Sequence, residues 1–490
     1  MLKKFSLLLL VFAVFLGSCD TDSDADKNTD PPEIPPIVNF DDLEWGNEYY
    51  PDWLVLTPGA DATELMLNWL SEKPSPGAAA AVSKVRTYSE TDDYQEVTGT
   101  VQAISAPATY KGFNVNKVTV PGLVADRGYR YWVSADGENW SKEYSFRTPK
   151  TDVFRFAALS DPQVTAVAAV YLAWQQTLEK VAQANVSFIA SSGDQVDTLA
   201  VNMMEYNRFF EPPQLRSIPY APAVGNHDRH YPFTFHFNMP NEMVFQPLKG
   251  EGSEYGSAQT QEHADIEAVA NYWYRYNNCL FVVLNTSAAP QTETAAEPLI
   301  QRFDETLTAA KTANPGYTWL FVQQHKSTTS VANHCADIDV MRYVETGLEQ
   351  LMTTHGVDFV FSGHDHTYTR SYPMTGKKGG APSVPDKTQG GDTINNPNGT
   401  IYFTLTTACG VKFYDAFSPE RSTNMNYPYL ADGSRGAAGL SASNMPVAVN
   451  VQVHGMKPGY VIVDVQGNTV TFNAYHLNET TPIDSLTVTK

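Results

Sequence analysis

Through the middle of the chain, short runs of β-branched and aromatic residues end abruptly in a carboxylate, an amide or an imidazole. Residues 153–160 lead into Asp161 and Gln163, residues 186–193 into Asp194, and residues 220–224 into Gly225, Asn226, His227 and Asp228. Residues 317–324 lead into His325, and residues 357–363 into His364 and His366. Continuous apolar runs of this length predict buried strands. Between them, apolar residues at helical spacing predict helices over 167–184, 299–313 and 339–355, the last with an N-cap at Asp339 and a stop at Gly356. Strands alternating with helices predict a layered α/β unit, and such sheets gather their ligands beyond the carboxyl ends of the strands. The five polar endings are therefore expected to converge on one pocket, a metal site.

Residues 45–150 follow a different rhythm, with short alternating segments and frequent turns, which predicts a small all-β unit. Leu65, Leu67 and Trp69 fall on one face of the segment 64–69, and 114–120, 128–134 and 144–148 continue the alternation. Trp69 and Tyr129 are expected in its core. Far downstream, 400–408, 459–465 and 469–475 read as strands that complete the second sheet of a sandwich, with Gln466, Gly467 and Asn468 as a hairpin turn. The stretches 241–265 and 376–399 lack periodicity and read as long loops, which beside a site set substrate choice.

A chain of 490 residues has room for two or three domains, and a net charge of −21 argues against a nucleic-acid-binding role. An anionic substrate would need local positive charge, which bound metal ions supply. Of the four cysteines, Cys279, Cys335 and Cys409 lie in no paired spacing and read as isolated thiols. Cys19 stands apart, after Lys3, Lys4, an apolar run over 5–16, Gly17 and Ser18, the pattern of a processed export signal too short to span a membrane. Residues 20–44 begin with Asp, Thr, Asn and Pro and read as a solvated tether.

Phosphate-ester hydrolysis at neutral pH requires an ionised water and neutralisation of charge on the phosphoryl and leaving oxygens. Two divalent ions about 3.5–4 Å apart meet both needs. Such a pair needs an anionic bridge, and Asp194, after the flexible Gly193, is the best candidate. Asp161, Gln163 and His366 would complete one ion's shell, and Asn226, His325 and His364 the other's. Mixed nitrogen and oxygen donors suit Zn, Mn or Fe better than Ca.

This ordered series resembles the calcineurin-like metallophosphoesterase superfamily. The β unit, with Leu123 before Tyr129 and its closing strand at 144–148, resembles a fibronectin type III domain. Together with the run from His366 to Ser371 it resembles the purple acid phosphatases and their bacterial relatives. The resemblance implies an α/β (α+β) four-layer metallophosphoesterase sandwich over 151–490, preceded by a small fibronectin III-like sandwich over 45–150. It implies the same ligand sets, with His227 contacting phosphate and protonating the leaving oxygen, and Asp228 orienting and tuning that imidazole. Two positions depart from the pattern. Gln163 stands where a His is usual, and Asp197 where the purple enzymes carry a ligating Tyr, so neither purple colour nor a firmly held ferric ion is expected. Arg229 and His230 face either substrate or solvent, Arg370 either contacts phosphate or pins its loop, and His334 and Cys335 are read as loop residues.

Leu16, Gly17, Ser18 and Cys19 resemble a bacterial lipobox, which implies cleavage before Cys19 and lipid on its thiol, with an ordinary cleaved peptide as the alternative. The acidic stretch that follows resembles surface-export signals of Bacteroidetes lipoproteins and implies an anchor at the outer membrane or cell surface. The expected activity is hydrolysis of phosphate mono- or diesters on phosphorylated small molecules or phosphopeptides. The rival reading is a surface-binding or adhesion lipoprotein on a non-catalytic phosphoesterase scaffold. It requires loss of a ligand or of His227, and the conservative Gln163 is the one departure of that kind.

Overall fold

The structure, a computed structural model, describes residues 52–75, 80–198, 203–248, 254–255, 259–332, 334–335, 337–377, 383–410, 412–414, 448–453 and 455–490. The expected export signal, Cys19 and the tether lie outside the described residues. Among the described residues no helix is long and apolar enough to cross a membrane.

The N-terminal domain is all β. Strands Asp52–Pro58, Leu65–Glu72, Phe113–Val120 and Thr100–Ala103 pair in one antiparallel sheet, in that order. Tyr94–Thr98, Lys84–Ser89, Gly128–Ser134 and Tyr144–Arg147 pair in the other. Alternation turns Leu65, Leu67 and Trp69 inward against Val85, Tyr131, Val133 and Phe146 of the facing sheet. The Tyr129 ring is buried as expected, and its hydroxyl accepts from the Val124 amide at 2.8 Å, a bond back along the chain. This domain grips the next one through polar side chains aimed at backbone. Tyr131 Oη donates to Arg216 O at 2.7 Å, Asn68 Nδ2 to Phe235 O at 2.8 Å, and Trp53 Nε1 to Asn207 Oδ1 at 2.6 Å.

Among the described residues the second domain holds two seven-stranded mixed sheets and a two-stranded ribbon, Met374–Thr375 with Val384–Pro385. The first runs Tyr220–Pro222, Phe188–Ser191, Val153–Leu159, Gly459–Gln466, Thr469–His476, Asp484–Thr489, Thr393–Asn395. The second runs Tyr272–Tyr276, Cys279–Leu284, Trp319–Lys326, Phe359–Gly363, Ile401–Thr404, Tyr368–Ser371, Val449–Val453. The C-terminal strands thus do not share one sheet as the sequence suggested. Ile401–Thr404 pairs with Phe359–Gly363, whereas the hairpin at Gly467 adds to Val153–Leu159.

Phenylalanines fill the space between the sheets. Phe156 meets Phe281 and Phe321 edge to face at 5.3 and 5.5 Å, and Phe472 stacks on Phe403 at 4.8 Å. Such pairs contribute about 0.5–1.5 kcal/mol beyond their burial. Helices cover the outer faces. Ala168–Gln183 buries Val170, Trp174, Leu178 and Val181, spaced for one helix face, against the first sheet. Glu293–Ala313 buries Leu299, Phe303, Leu307 and Ala310 against Leu280, Val282 and Val322 of the second.

Four boundaries differ from the sequence reading. The stretch 376–399, expected as a loop, supplies the strand Thr393–Asn395, which pairs with Asp484–Thr489. The helix expected from 299 starts at Glu293, because Thr292 caps it through Ala295 N at 3.1 Å and Pro298 is tolerated early in it. The helix expected over 339–355 is two, Ile338–Thr346 and Leu348–His355, broken where Gly347 takes φ +104°. Asp339 does not cap it; its carboxylate pairs with the buried Lys326 ammonium. Within the supposed loop 241–265 a helix begins, Gln261–Glu267, capped by the Thr260 hydroxyl. With Ala264 and Ile266 as its buried apolar residues, it carries no apolar stripe to announce it.

Candidate metal centre

The parallel strands Val153–Leu159, Phe188–Ser191 and Tyr220–Pro222 of the first sheet and Trp319–Lys326 and Phe359–Gly363 of the second all end at one edge. The backbone turns there sharply. Asp161, Gln163, Asp194, His364 and His366 all take left-handed φ, between 40 and 69°. For residues with a Cβ this costs about 1–2 kcal/mol each, and strain of this kind gathers at functional sites because surrounding contacts enforce it. Two glycines provide the room. A Cβ on Gly225 would run into Asp194 Oδ1 and N, and one on Gly363 into Ser160 Oγ and Asp161 Oδ2.

Each carboxylate is aimed by the amide of another motif. His227 N donates to Asp194 Oδ1 at 2.9 Å, and His364 N to Asp161 Oδ2 at 3.0 Å. The imidazoles are aimed by carbonyls, which only accept, so the proton sits on Nδ1. His325 Nδ1 donates to Ser192 O and His366 Nδ1 to Lys412 O, both at 2.8 Å. Both rings therefore turn Nε2 inward, the arrangement in which outer hydrogen bonds orient metal-binding histidines.

At His325 acceptors meet acceptors. Nε2 lies 2.9 Å from Asn226 Oδ1 and 3.4 Å from Asp194 Oδ2. His366 Nε2 stands 3.4 Å from Asp161 Oδ1. His364 Nε2 is buried with no hydrogen-bond partner among the described residues. Lone pairs converging in this way require a positive charge between them, a proton or a metal ion. Asp161, Asp194 and His325 each offer one ligand atom within 4.8 Å of the others. This donor set of carboxylate oxygen, amide oxygen and imidazole nitrogen fits a transition metal or zinc.

The electrostatics of the bare protein agree. Burial alone would lower His325, but Asp194 beside it dominates and lifts it to about 9, so a proton occupies the position a metal would take. Burial alone would raise Asp194, yet His325, His227 and their hydrogen bonds hold it well below the carboxylate range. His364 is pushed well down by burial, with His334, His325 and Lys326 adding to it, which leaves a neutral ring with a free lone pair.

The structure thus brings Asp161, Gln163, Asp194, Asn226, His325, His364, His366 and His227 to one edge. Gln163 turns its amide nitrogen toward Asp194 Oδ2 at 3.1 Å, rather than the oxygen expected of a ligand. Asp228 is corrected: it does not hold the His227 ring. Its carboxylate accepts from Gly225 N at 2.9 Å and Gln195 N at 3.0 Å and closes the loop, and burial with the nearby Asp194 charge pushes it up to about 8. The His227 ring is held by Asp197, whose carbonyl takes the Nδ1 proton.

Other residues settle away from the alternatives left open. Arg370 pins its strand, donating to Asp484 Oδ2 at 2.7 Å. Arg229 pairs with Glu267 and Gln259, and His230 Nδ1 lies 3.3 Å from Glu262, so the inserted helix takes both. His334, given no part by the sequence, stacks on His364 at 4.2 Å, and its amide is held by Asp365 Oδ1 at 2.7 Å. Asp365 between two candidate ligands was the available signal: a buried carboxylate there needs donors from another loop. Tyr414 packs on His366 and His334 at 4.6 and 4.8 Å, and no local pattern pointed to it. Cys279, Cys335 and Cys409 are buried free thiols.

Residues 154–368 match the family model of the calcineurin-like phosphoesterases. Residues 51–148 match the N-terminal domain of purple acid phosphatases. No curated protein matches the chain. Among solved structures, purple acid phosphatase PPD1 from yellow lupin (Lupinus luteus) seeds is 16% identical over 90% of this chain and 74% of its own, with a TM-score of 0.61. PhoD is 10% identical over 91% of this chain and 90% of its own, with a TM-score of 0.50. At these identities the likeness is one of fold: an all-β domain followed by a metallophosphoesterase fold. A phosphoesterase domain of this fold implies divalent or trivalent metal ions, and the residues at the strand ends fit them.

Proposed function

We propose that the chain hydrolyses phosphate mono- or diesters, on phosphorylated small molecules or phosphopeptides, at a centre of two Zn, Mn or Fe ions. The observation that carries this is the meeting of lone pairs at His325 Nε2, Asn226 Oδ1 and Asp194 Oδ2. Asp161, Gln163, Asp194 and His366 would hold one ion, with the Gln163 amide turned over. Asp194, Asn226, His325 and His364 would hold the other. When bound, the ions neutralise phosphoryl charge and acidify a water.

The chain's own residues do the rest. Because His227 Nδ1 donates to the Asp197 carbonyl, Nε2 is the nitrogen that binds a second proton and, from the imidazolium form, hands it to the leaving oxygen. That ring is 23% exposed, the reach a substrate needs, whereas His325 is sealed. Asp228 keeps the Gly225 turn closed, which holds Asn226 Oδ1 beside His325 and His227 Nε2 near Asp194. The sequence from Leu16 to Cys19 supports a lipid anchor and a location at the outer membrane or cell surface.

The test is a screen of the metal-loaded protein against aryl phosphate monoesters and diesters, nucleotides and phosphopeptides. Asp194→Ala and Asn226→Ala are each expected to abolish turnover while the melting profile stays cooperative. Full activity in both variants removes the proposal.

A further inference from the structure

His227 and His366 stand on different sheets, yet one short segment touches the support of both. Lys412 O accepts from His366 Nδ1 at 2.8 Å, and Lys412 Nζ lies 2.5 Å from Asp197 Oδ1. Asp197 O in turn accepts from His227 Nδ1, and its Oδ1 is 3.8 Å from the same nitrogen. Two residues further on, the Tyr414 ring rests against His366 and His334. A continuous bridge His366–Lys412–Asp197–His227 therefore spans the centre.

We propose that Lys412 is a positioning residue for His227, acting through Asp197. Asp197 follows Asp194 by three residues, and its carboxylate lies, with those of Asp161, Asp194 and Asp365, within electrostatic reach of the Tyr414 hydroxyl. Like charges repel, so an unneutralised Asp197 side chain is driven outward and its carbonyl leaves the imidazole with it. Among the described residues Lys412 is the lysine or arginine paired with Asp197. Its ammonium keeps the Asp197 backbone where it fixes the proton on His227 Nδ1 and leaves Nε2 turned toward Asp194 Oδ2, 3.9 Å away. This role rests on the proposed hydrolysis only where turnover is read; the ring tautomer is a property of the chain itself.

The experiment uses the full chain with Lys412→Met and Lys412→Arg. Nitrogen-15 histidine spectra, with the His227 ring assigned through His227→Gln, are expected to show a proton fixed on Nδ1 in the wild type and in Lys412→Arg. In Lys412→Met the signal should move to a mixture of tautomers. Turnover in Lys412→Met should fall roughly tenfold on phenyl phosphate, whose leaving group needs a proton, and much less on 4-nitrophenyl phosphate. KM and bound metal, read by mass spectrometry, should stay unchanged, and Lys412→Arg should restore the rate. An unaltered His227 tautomer in a folded Lys412→Met protein overturns the proposal whatever the activity. Equal loss on both esters together with loss of metal also overturns it, because Lys412 would then act on His366 alone. A wild type inactive on every ester with the tautomer change present refutes the hydrolase reading and leaves the positioning role standing.

Discussion

Arg370 and Asp484 form a bidentate pair in the interior, Nε to Oδ2 at 2.7 Å and Nη2 to Oδ1 at 2.9 Å, with the arginine side chain wholly buried. Tyr368 Oη adds a third donor to the same carboxylate at 2.8 Å. Removing one partner of such a pair leaves an uncompensated charge and costs about 3–5 kcal/mol. Arg370→Met should therefore lose stability of that order in urea unfolding, while the folded fraction keeps its metal. Unchanged stability with lost turnover would instead give Arg370 a substrate-binding role.

Gly363→Ala should damage the metal site more than the fold. The new methyl group meets Ser160 Oγ and Asp161 Oδ2, and crowding of this kind costs about 1–3 kcal/mol. Because Asp161 Oδ2 is one of the atoms that must move, together with Ser160 Oγ, calorimetric titration with zinc should show weaker binding than in the wild type. Equal affinity would mean that the left-handed turn at Asp161 adjusts freely.

Metal should stabilise the folded chain, since its ligands gather only when the strands of both sheets are formed. Ligand at a hundred times its dissociation constant adds about 2.7 kcal/mol. Treatment with a chelator should lower the melting temperature, and zinc or manganese should restore it. No shift on chelation would speak against a bound ion.

His236 predicts an acid limit to stability. Its ring is fully buried between Trp53 and Tyr110 of the N-terminal domain and Tyr206 and Phe210 of the second, with the Tyr110 hydroxyl at 3.1 Å from Nε2. Burial pushes this histidine well below its ordinary value of 6.5. Below pH 6.5 the unfolded chain binds a proton that the folded chain refuses. Its contribution is thus undiminished above that pH and declines as pH falls, by up to about 1.4 kcal/mol per pH unit. His236→Phe should flatten this part of the stability–pH curve, measured by denaturant unfolding between pH 7.5 and 5. An unchanged slope would assign the acid sensitivity elsewhere.

On the proposed lipid anchor, Cys19→Ala should move the protein from the membrane fraction to the soluble one and abolish incorporation of labelled fatty acid. Retention of label would place the modification on another residue.

Much of this site was legible because its ligands, Asp161 and Asp194 among them, sit where apolar runs stop. The aromatic core strands were equally plain. What stayed hidden depends on pairing between distant segments. Nothing around Asp228 distinguishes a carboxylate that holds a ring from one that accepts backbone amides, and the choice is made by Gln195, brought in from the previous strand end. Lys412 lies in a stretch without periodicity, and its contact with Asp197 exists only once both sheets are built. The sheet assignment of the C-terminal strands was open for the same reason, since alternation fixes a strand's faces and not its neighbour.

The phenylalanines between the sheets have a further consequence. Asp161, Asp194 and Asn226 hang from one sheet and His325, His364 and His366 from the other, so the gap between the two donor groups works like a calliper whose opening is set by Phe156 against Phe281 and Phe321. Interiors packed to crystal-like density transmit small displacements rather than absorb them. Thinning that aromatic slab, far from any ligand, would close the jaws and change which ions the protein can grasp.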